Sequence, residues 1–284
     1  MEAEHTAAGP ADSSAITCWR PLASSPHALT TFAARLGTAR VRFDDVLGLD
    51  AEALALLPSP PIGMLLIYPT STEAQSHLDS IDVKTSGMTS MASSNLFQMR
   101  QLLGGTCGTI AALHLLLNLP DEMAVEVSAP LRRRLFPLQH EEDSATADVD
   151  APHEREQRLC AQRSEAMLAS DAIREAHDLC ATASSVAEAR AGERQGRHYV
   201  AFVRATSEVN ASAHASLMIL DGRRERPICC GPTTSASFAD DVAREVRALV
   251  AAATSLTPGS AEHGTKGSQS LAFSLIAAWR ADEG

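Results

Sequence analysis

The segment from residue 95 to 120 constrains the fold of this chain most strongly, because its two halves differ in physical character. Residues 97–103 have the composition of a short helix, and the Gly-Gly pair that follows interrupts it. From Cys107 to Leu119 the chain is apolar almost all round, which is typical of a helix buried in a core. The segment therefore predicts a central buried helix that begins at Cys107.

A thiol at the start of such a helix can have special chemistry. The unpaired N–H groups of the first turn and the positive end of the helix dipole favour a thiolate at Cys107. The same N–H groups can stabilise an oxyanion. A free cysteine is nevertheless most often an inert buried side chain, so Cys107 alone does not identify an enzyme.

Two residues in the second half of the chain can complete a catalytic set with Cys107. His198 opens the predicted strand HYVAFV, and a second predicted strand, LMILDG, ends at Asp221. A strand-borne His and Asp can meet a helix-borne Cys as base and orienting group. The order is only suggestive, because unrelated peptidases and acyltransferases use the same chemistry, and singly His198 could be a core histidine and Asp221 part of an ordinary turn.

Three separated motifs resemble the ubiquitin C-terminal hydrolases. The first is Gln101 followed by LLGGT and Cys107-Gly-Thr, the second is the strand that His198 opens, and the third is the LDGR segment around Asp221. They occur in the family's order, and the likeness runs from about residue 18 to 280. The resemblance implies a papain-like α/β (α+β) fold, with an antiparallel sheet core flanked by helices.

The resemblance also implies a reaction, in which no cofactor takes part. Cys107 is the nucleophile, His198 its base, Asp221 the residue that orients the imidazole, and Gln101 a donor to the oxyanion. The substrate is a small adduct, peptide or unfolded tail joined to the C-terminal glycine of ubiquitin. His114, on the apolar helix, is interpreted as a core histidine.

Charge limits the partners. The formal net charge is −11, and no Lys/Arg cluster is dense enough to hold a phosphate backbone, so neither nucleic acid nor an anionic membrane is an expected partner. An acidic protein attracts basic ligands. The resemblance implies that Asp45, in the matching FDDV segment, contacts the basic tail of ubiquitin. We expect a monomer.

Two alternatives remain open: a catalytically silent protein that only binds ubiquitin, and a hydrolase for a related modifier such as Nedd8. The intact set of Cys107, His198, Asp221 and Gln101 argues against the silent protein. Modifier preference depends on surface contacts that one sequence does not resolve.

The cysteines and the N-terminus indicate in which cellular compartment the protein is expected. Six cysteines lack the spacing of a zinc site or disulfide framework, so most are expected to be reduced thiols. The adjacent pair Cys229-Cys230 could suggest a metal or redox role, but no CxxC motif or nearby His supports it. Residues 1–17 are interpreted as a disordered tail before one catalytic domain at 18–284. They lack the features of a signal peptide, and no stretch reaches the ~20 apolar residues of a membrane span. We expect a soluble cytoplasmic protein that could also enter the nucleus.

Local patterns predict the remaining elements. Apolar spacing favours helices at 26–36 and 51–57, the second capped by Asp50, and a buried strand at 62–68. The polar stretch at 71–95 shows no convincing pattern and is interpreted as a loop. Residues 139–165, highly charged and without a clear apolar face, are interpreted as a solvated insertion.

Residues 179–197 are small and polar and resemble the family's crossover loop over the active site. About twenty residues at ~3.5 Å each give a contour near 70 Å. Even a fully extended ring is then only a little over ~20 Å across, whereas a ubiquitin-sized domain measures roughly 28–30 Å. We therefore expect peptides and unfolded tails to pass this loop and a folded ubiquitin leaving group to pass poorly.

Three features of the sequence depart from the family pattern. Gly105 stands where these enzymes usually carry an asparagine, which predicts a looser oxyanion loop. About eight additional residues, 207–214, lengthen the hairpin before Asp221, and Cys229-Cys230 replaces an Asn-His pair. None of these changes removes a catalytic side chain, so activity is expected.

Overall fold

The computed structural model describes residues 18–92, 96–137, 152–181, 196–206, 215–254 and 273–281. Within them, six strands pair antiparallel in one sheet, in the order β1-β6-β2-β3-β4-β5. The strands are β1 Val41–Asp45, β2 Gly63–Pro69, β3 Arg197–Ala205, β4 Ala215–Leu220, β5 Ile228–Thr233 and β6 Ser274–Arg280. The predicted antiparallel sheet core is therefore confirmed.

Helices cover both faces of this sheet. They are α1 Pro26–Arg35, α2 Ala51–Leu54, α3 Thr72–Ala92, α4 Cys107–Leu116, α5 Asp121–Met123, a π-helical turn at Ala124–Ser128, α6 Ala129–Leu135, α7 Pro152–Ala169, α8 Asp171–Cys180 and α9 Phe238–Thr254. Asp50 caps α2 as predicted, because its carboxylate accepts the N–H of Ala53 at 2.9 Å. None of the described helices is long and apolar enough to cross a membrane.

Alternating side chains of β2 divide the core into two parts. Leu65 and Ile67 point into a core formed with α1 and α4, whereas Met64, Leu66 and Tyr68 point into a second core formed with α3 and α9. All five side chains are at most 1% exposed. A strand buried on both faces requires a helical layer on each side, which is the α/β arrangement predicted from the sequence.

The buried helix predicted at Cys107 is present as α4. Every residue from Gly108 to Leu116 is buried, and the helix packs against β3 and β2. A helix without a polar face is stable only inside a core, so its position beside the sheet is fixed. Cys107, its first residue, is therefore held close to the start of β3.

The loop predicted for residues 71–95 is wrong over most of its length, because residues 72–92 form α3. Ala74 and Leu78 are buried, and Ile81 packs partly buried against the same core. These three positions follow the i, i+4, i+7 spacing of one helical face. Most of the other side chains in this helix are polar, and their number obscured the apolar stripe in the sequence.

The short helix predicted for residues 97–103 is also wrong, because residues 96–102 have no regular secondary structure. Most of their backbone N–H groups are hydrogen-bonded to residues far along the chain. A donor used in this way is not available for the i to i−4 bonds of a helix.

The charged stretch 139–165 is not a solvated excursion over its second part, because residues from 152 onward form α7. Leu159, Cys160 and Ser164 on this helix are buried. Residues 138–151 lie outside the described residues. So do the predicted tail, the hairpin tip at 207–214 and residues 182–195 of the predicted crossover loop.

Candidate active site

Strands β3 and β4 bring His198 and Asp221 together. His198 lies at the start of β3, Asp221 directly follows β4, and the register pairs Ala201 with Leu220. His198 Nε2 lies 2.6 Å from Asp221 Oδ1, and the two side chains are 0% and 1% exposed. The backbone N–H of Arg223 donates to the same carboxylate oxygen at 2.8 Å, which fixes its orientation.

Burial and pairing have opposite effects on these two groups. Burial alone would lower the pKa of His198, but the hydrogen bond to Asp221 and the nearby Cys107 outweigh it and raise that pKa. Burial alone would raise the pKa of Asp221, but the hydrogen bond and charge of His198, with the charge of Arg224, lower it. The pair therefore favours an imidazolium hydrogen-bonded to a carboxylate.

Cys107 is the first residue of α4, as predicted, and its side chain is half-buried. His198 Nδ1 is buried and has no hydrogen-bond partner among the described residues. Cys107 is nevertheless close enough to raise the pKa of the imidazole. The ring nitrogen that does not face Asp221 is therefore available to the thiol.

Gln101 lies immediately before the loop that leads to Cys107. Its Nε2 donates to the carbonyl oxygen of Leu103 at 3.2 Å, and the hydroxyl of Thr106 donates to the same oxygen at 2.7 Å. An amide nitrogen carries two hydrogens, so one remains for a substrate. The structure thus brings Gln101 close to the first turn of α4.

Glycine at position 105 permits a close backbone approach. Gly105 has φ +78°, and a β-carbon there would lie 1.9 Å from the carbonyl oxygen of Trp19. The N–H of Trp19 donates to the carbonyl oxygen of Gly104 at 2.8 Å. The missing side chain therefore lets the segment before α1 pack directly on the loop, a consequence that the sequence did not predict, and the looser loop stays a prediction.

Distant residues hold the backbone of residues 96–101, which we call the Gln101 segment. The backbone N–H groups of Phe97, Met99, Arg100 and Gln101 donate to Asn118 Oδ1 (2.6 Å), His114 Nε2 (3.0 Å), Ser164 Oγ (2.8 Å) and the Gly222 carbonyl oxygen (2.7 Å), respectively. His114 is fully buried, so it is a core histidine as predicted, and it supports this segment. Sequence reasoning did not identify Asn118, Ser164 or Gly222 as its supports.

Sequence reasoning also missed the residues that pack around the first turn of α4. A β-carbon on Gly108 would lie 3.0 Å from Leu22 Cβ and 3.5 Å from the ring of Tyr199. Burial raises the pKa of Tyr199 to about 12, and its hydroxyl donates to Ser24 Oγ. The glycine directly after Cys107 was the only sequence signal of this close packing.

Asp45 lies apart from the other predicted residues. It is exposed at the end of β1 and pairs with Ile276, which pairs with Leu65, which pairs with Ala201. Asp45 is therefore three strands and three residues away from His198. At about 4.8 Å per strand and 3.4 Å per residue, the separation is about 18 Å.

All six cysteines are free thiols, as predicted. Within the part of the chain that the structure describes, no group of three or more His, Cys, Asp or Glu side chains is placed to hold a metal ion.

Family models and known relatives give a consistent match. The model of ubiquitin carboxyl-terminal hydrolase, family 1, matches residues 19–251. A ubiquitin carboxyl-terminal hydrolase from Aplysia californica is 28% identical, over 82% of this chain and 95% of its own length. The isozyme L1 from Rattus norvegicus is 28% identical, over 80% of this chain and 89% of its own length.

A solved structure gives an independent match at the level of the fold. The catalytic domain of Trichinella spiralis UCH37, bound to ubiquitin vinyl methyl ester, matches with a TM-score of 0.57 and 16% sequence identity. The match covers 93% of this chain and 96% of that chain. It confirms the predicted fold of an antiparallel sheet flanked by helices.

Proposed function

The chain belongs to family 1 of the ubiquitin carboxyl-terminal hydrolases, which are cysteine peptidases, and from that premise we propose that Cys107, His198 and Asp221 carry its reaction. The observation that carries this assignment is the buried His198–Asp221 pair, at 2.6 Å, beside a thiol at the start of a buried helix. The substrate is ubiquitin joined through its C-terminal glycine to an amine.

The proposed reaction has two steps. The thiolate of Cys107 attacks the glycine carbonyl carbon, and the imidazolium of His198 gives its proton to the amine as the C–N bond breaks. Water then attacks the thioester and gives a proton to His198, and the C–S bond breaks to restore thiolate and imidazolium. The ubiquitin carboxyl group loses its proton to solvent. Asp221 keeps the imidazole oriented throughout.

The oxyanion formed in both steps needs hydrogen-bond donors. We assign this role to the side-chain amide of Gln101 and the backbone N–H of Cys107, which as the first residue of α4 has no intrahelical partner. Removing one such donor typically lowers kcat by about 10²–10³. Gln101→Ala is therefore expected to lower kcat by that factor, with KM little changed.

Asp45 is proposed to contact the basic tail of the substrate. Its neighbour Asp44 accepts a hydrogen bond from the indole of Trp279, whereas Asp45 is exposed and has no ion-pair partner in the described part of the chain. The separation of about 18 Å from His198 corresponds to five or six extended residues at ~3.4 Å each. Asp45→Asn is expected to raise KM and leave kcat unchanged.

The crossover loop is proposed to restrict the leaving group to peptides and unfolded tails. Both ends of the loop are held: Ala181 forms a β-bridge with Leu22, and Thr70 Oγ1 donates to the carbonyl oxygen of Gly196 at 2.9 Å. Because the two ends are held, the length of chain between them limits the size of a leaving group that can pass. Rapid cleavage of folded di-ubiquitin would contradict this restriction.

The deciding experiment measures release of a fluorophore from the C-terminus of ubiquitin. Wild type is compared with Cys107→Ala and with Cys230→Ala, a matched change at a half-buried thiol outside the site. We expect activity to be lost only in Cys107→Ala. Wild type that binds ubiquitin without turnover would identify a catalytically silent ubiquitin-binding protein. Faster release from a Nedd8 conjugate than from ubiquitin would identify a hydrolase for that modifier. A cytoplasmic location and a monomeric state stay predictions, which fractionation and sedimentation can test.

A further inference from the structure

Helix α7 contacts the Gln101 segment at consecutive residues. Arg163 of α7 donates to the carbonyl oxygen of Gln98 at 3.2 Å, and its guanidinium lies 4.5 Å from the centre of the Phe97 ring. Ser164, the next residue of the helix, accepts through its Oγ the N–H of Arg100, two residues after Gln98, at 2.8 Å. The helix and the segment therefore share an interface that ends one residue before Gln101.

The hydroxyl of Ser164 is held in one orientation. Its side chain is fully buried, and its hydrogen points at the carbonyl oxygen of Cys160, one helical turn back, at 2.8 Å. A hydroxyl has one hydrogen, so this bond leaves the oxygen lone pairs to accept from Arg100. The hydroxyl thus acts both as donor and as acceptor, and in its bond to Arg100 it is always the acceptor.

Two bonds from opposite sides fix the peptide units next to the Gln101 side chain. The N–H of Arg100 is bonded to α7, and the N–H of Gln101 is bonded to the carbonyl oxygen of Gly222, which directly follows Asp221. The position of Gln101 relative to the catalytic turn therefore depends on a helix that carries no catalytic side chain. Catalytic donors act only when held within about 0.5 Å of their productive position.

Resting on the function proposed above, we propose that Ser164 is a positioning residue for Gln101. Its hydroxyl holds the backbone of Arg100 so that the Gln101 amide faces the oxyanion formed at the carbon that Cys107 attacks. Without the hydroxyl, the N–H of Arg100 loses its partner, and at the end of the segment the backbone bond to Gly222 remains. The amide then samples positions in which it does not reach the oxyanion.

The test is the kcat of Ser164→Ala in release of a fluorophore from the C-terminus of ubiquitin. A misplacement of 1 Å can lower a rate by about 10²-fold, so we expect a fall in kcat of about 5- to 50-fold with KM within twofold. Ser164→Cys, which keeps the shape but bonds poorly, should lose most of the same activity. Full activity of the cysteine variant would overturn the role of the hydroxyl.

Ser128 supplies a matched control. Its Oγ also donates to one carbonyl oxygen, that of Leu116 at 2.9 Å, and accepts one backbone N–H, that of Leu119 at 3.3 Å. It is also buried, at 4% exposed, but lies at the far end of α4 from Cys107. Ser128→Ala is expected to keep kcat within twofold of wild type, and a loss equal to that of Ser164→Ala would overturn the proposal.

A double variant shows whether Ser164 acts through Gln101. If it does, adding Ser164→Ala to Gln101→Ala changes kcat by less than twofold, because the misplaced group is already absent. Losses that multiply would overturn the proposal. An inactive wild type would overturn the proposed function itself, whereas an active wild type with an equally active Ser164→Ala would overturn only the role of Ser164.

Discussion

The two halves of the active site are held by different kinds of hydrogen bond. In the sheet half, which carries His198 and Asp221, main-chain ladders of β3 and β4 place the side chains. In the segment half, which carries Gln101, three of the four backbone bonds go to single side chains on α4, in the turn after it and on α7. Ladder bonds do not depend on side-chain identity, whereas each of these three bonds is lost with one substitution. Neighbouring substitutions should therefore affect Gln101 more than the His–Asp pair.

The largest expected effect is in the sheet half, at a catalytic side chain itself. Asp221→Asn removes the carboxylate that orients His198, and changes of this kind in related chemistry lower kcat by about 10³–10⁴. Release of a fluorophore from ubiquitin measures the loss. Asp241→Asn, a second buried carboxylate that bonds Thr233 and Ser237, is the control and should keep the rate. A loss below tenfold in Asp221→Asn would show that the ladder alone orients the imidazole.

The next largest effect is expected on stability, from a substitution at Gly105 in the loop between the two halves. Gly105→Ala places a β-carbon 1.9 Å from the Trp19 carbonyl oxygen at a positive φ, so we expect the free energy of unfolding to fall by about 2–4 kcal/mol. Gly231 also has a positive φ, of 109°, but a β-carbon there meets nothing within 4 Å. Gly231→Ala should therefore lose only about 1–2 kcal/mol. Equal losses in urea denaturation would rule out the close approach as the cause.

A fall in pH should change the stability contributed by one histidine in each half of the site in opposite directions. Burial lowers the pKa of His114, which supports the Gln101 segment, to about 4, against ~6.5 in an unfolded chain. Between these values the unfolded chain binds a proton that the folded protein does not, so stability falls as pH drops from about 6.5 to about 4. His198 has a raised pKa, so its stabilisation is fully present below ~6.5 and is lost as pH rises through its folded pKa.

Urea denaturation at pH 7 and pH 5 separates these contributions. His114→Gln keeps an acceptor for the Met99 N–H but does not titrate, so wild type should lose about 1–2 kcal/mol more than this variant between the two pH values. His177, whose pKa burial also lowers to about 4, is present in both proteins and cancels. Equal losses in the two proteins would mean that His114 is not the group that responds.

The smallest effect is expected at Arg224, a charged neighbour of the sheet half. Its Nε lies 3.8 Å from Asp221 Oδ2, and its guanidinium also bonds Asp79 at 2.6 Å. His198 continues to hold Asp221 without it, so Arg224→Gln should lower kcat only about threefold. Arg244→Gln, which breaks the ion pair to Asp241 on α9, is the control and should leave kcat unchanged. A loss above tenfold would show that the sheet half also depends on single side chains.

The sheet half could be predicted from sequence because each of its parts depends on local residues. The apolar run after His198 needs only its own composition to predict a strand, and Asp221 follows a second run of the same kind. The Gln101 segment could not be predicted in this way. Its supporting side chains, among them His114 and Ser164, lie from 15 to 64 positions away along the chain, and Gly222 lies further still. Only the family resemblance located Gln101.

Helix α7 shows a second limit of local patterns. Its buried positions include Cys160, Ser164 and Met167, at the spacing of one helical face. The stripe contains a serine whose burial is compensated by hydrogen bonds to Cys160 and Arg100. A search for apolar periodicity therefore misses Ser164, the residue that bonds the Gln101 segment. Its partner, the N–H of Arg100, can be identified only in the folded chain.

The place of β6 between β1 and β2 sets a time order for the newly made protein. Both neighbours precede β6 by about 200 residues in the chain, so they leave the ribosome long before it. At about 5–20 residues per second, the interval is roughly 10–40 s. During that time β1 lacks β6, its one partner strand among the described residues, and β2 keeps one edge open. Open edges pair readily with other chains. Until β6 is made, the nascent chain therefore exposes edges of β1 and β2 that the finished sheet covers.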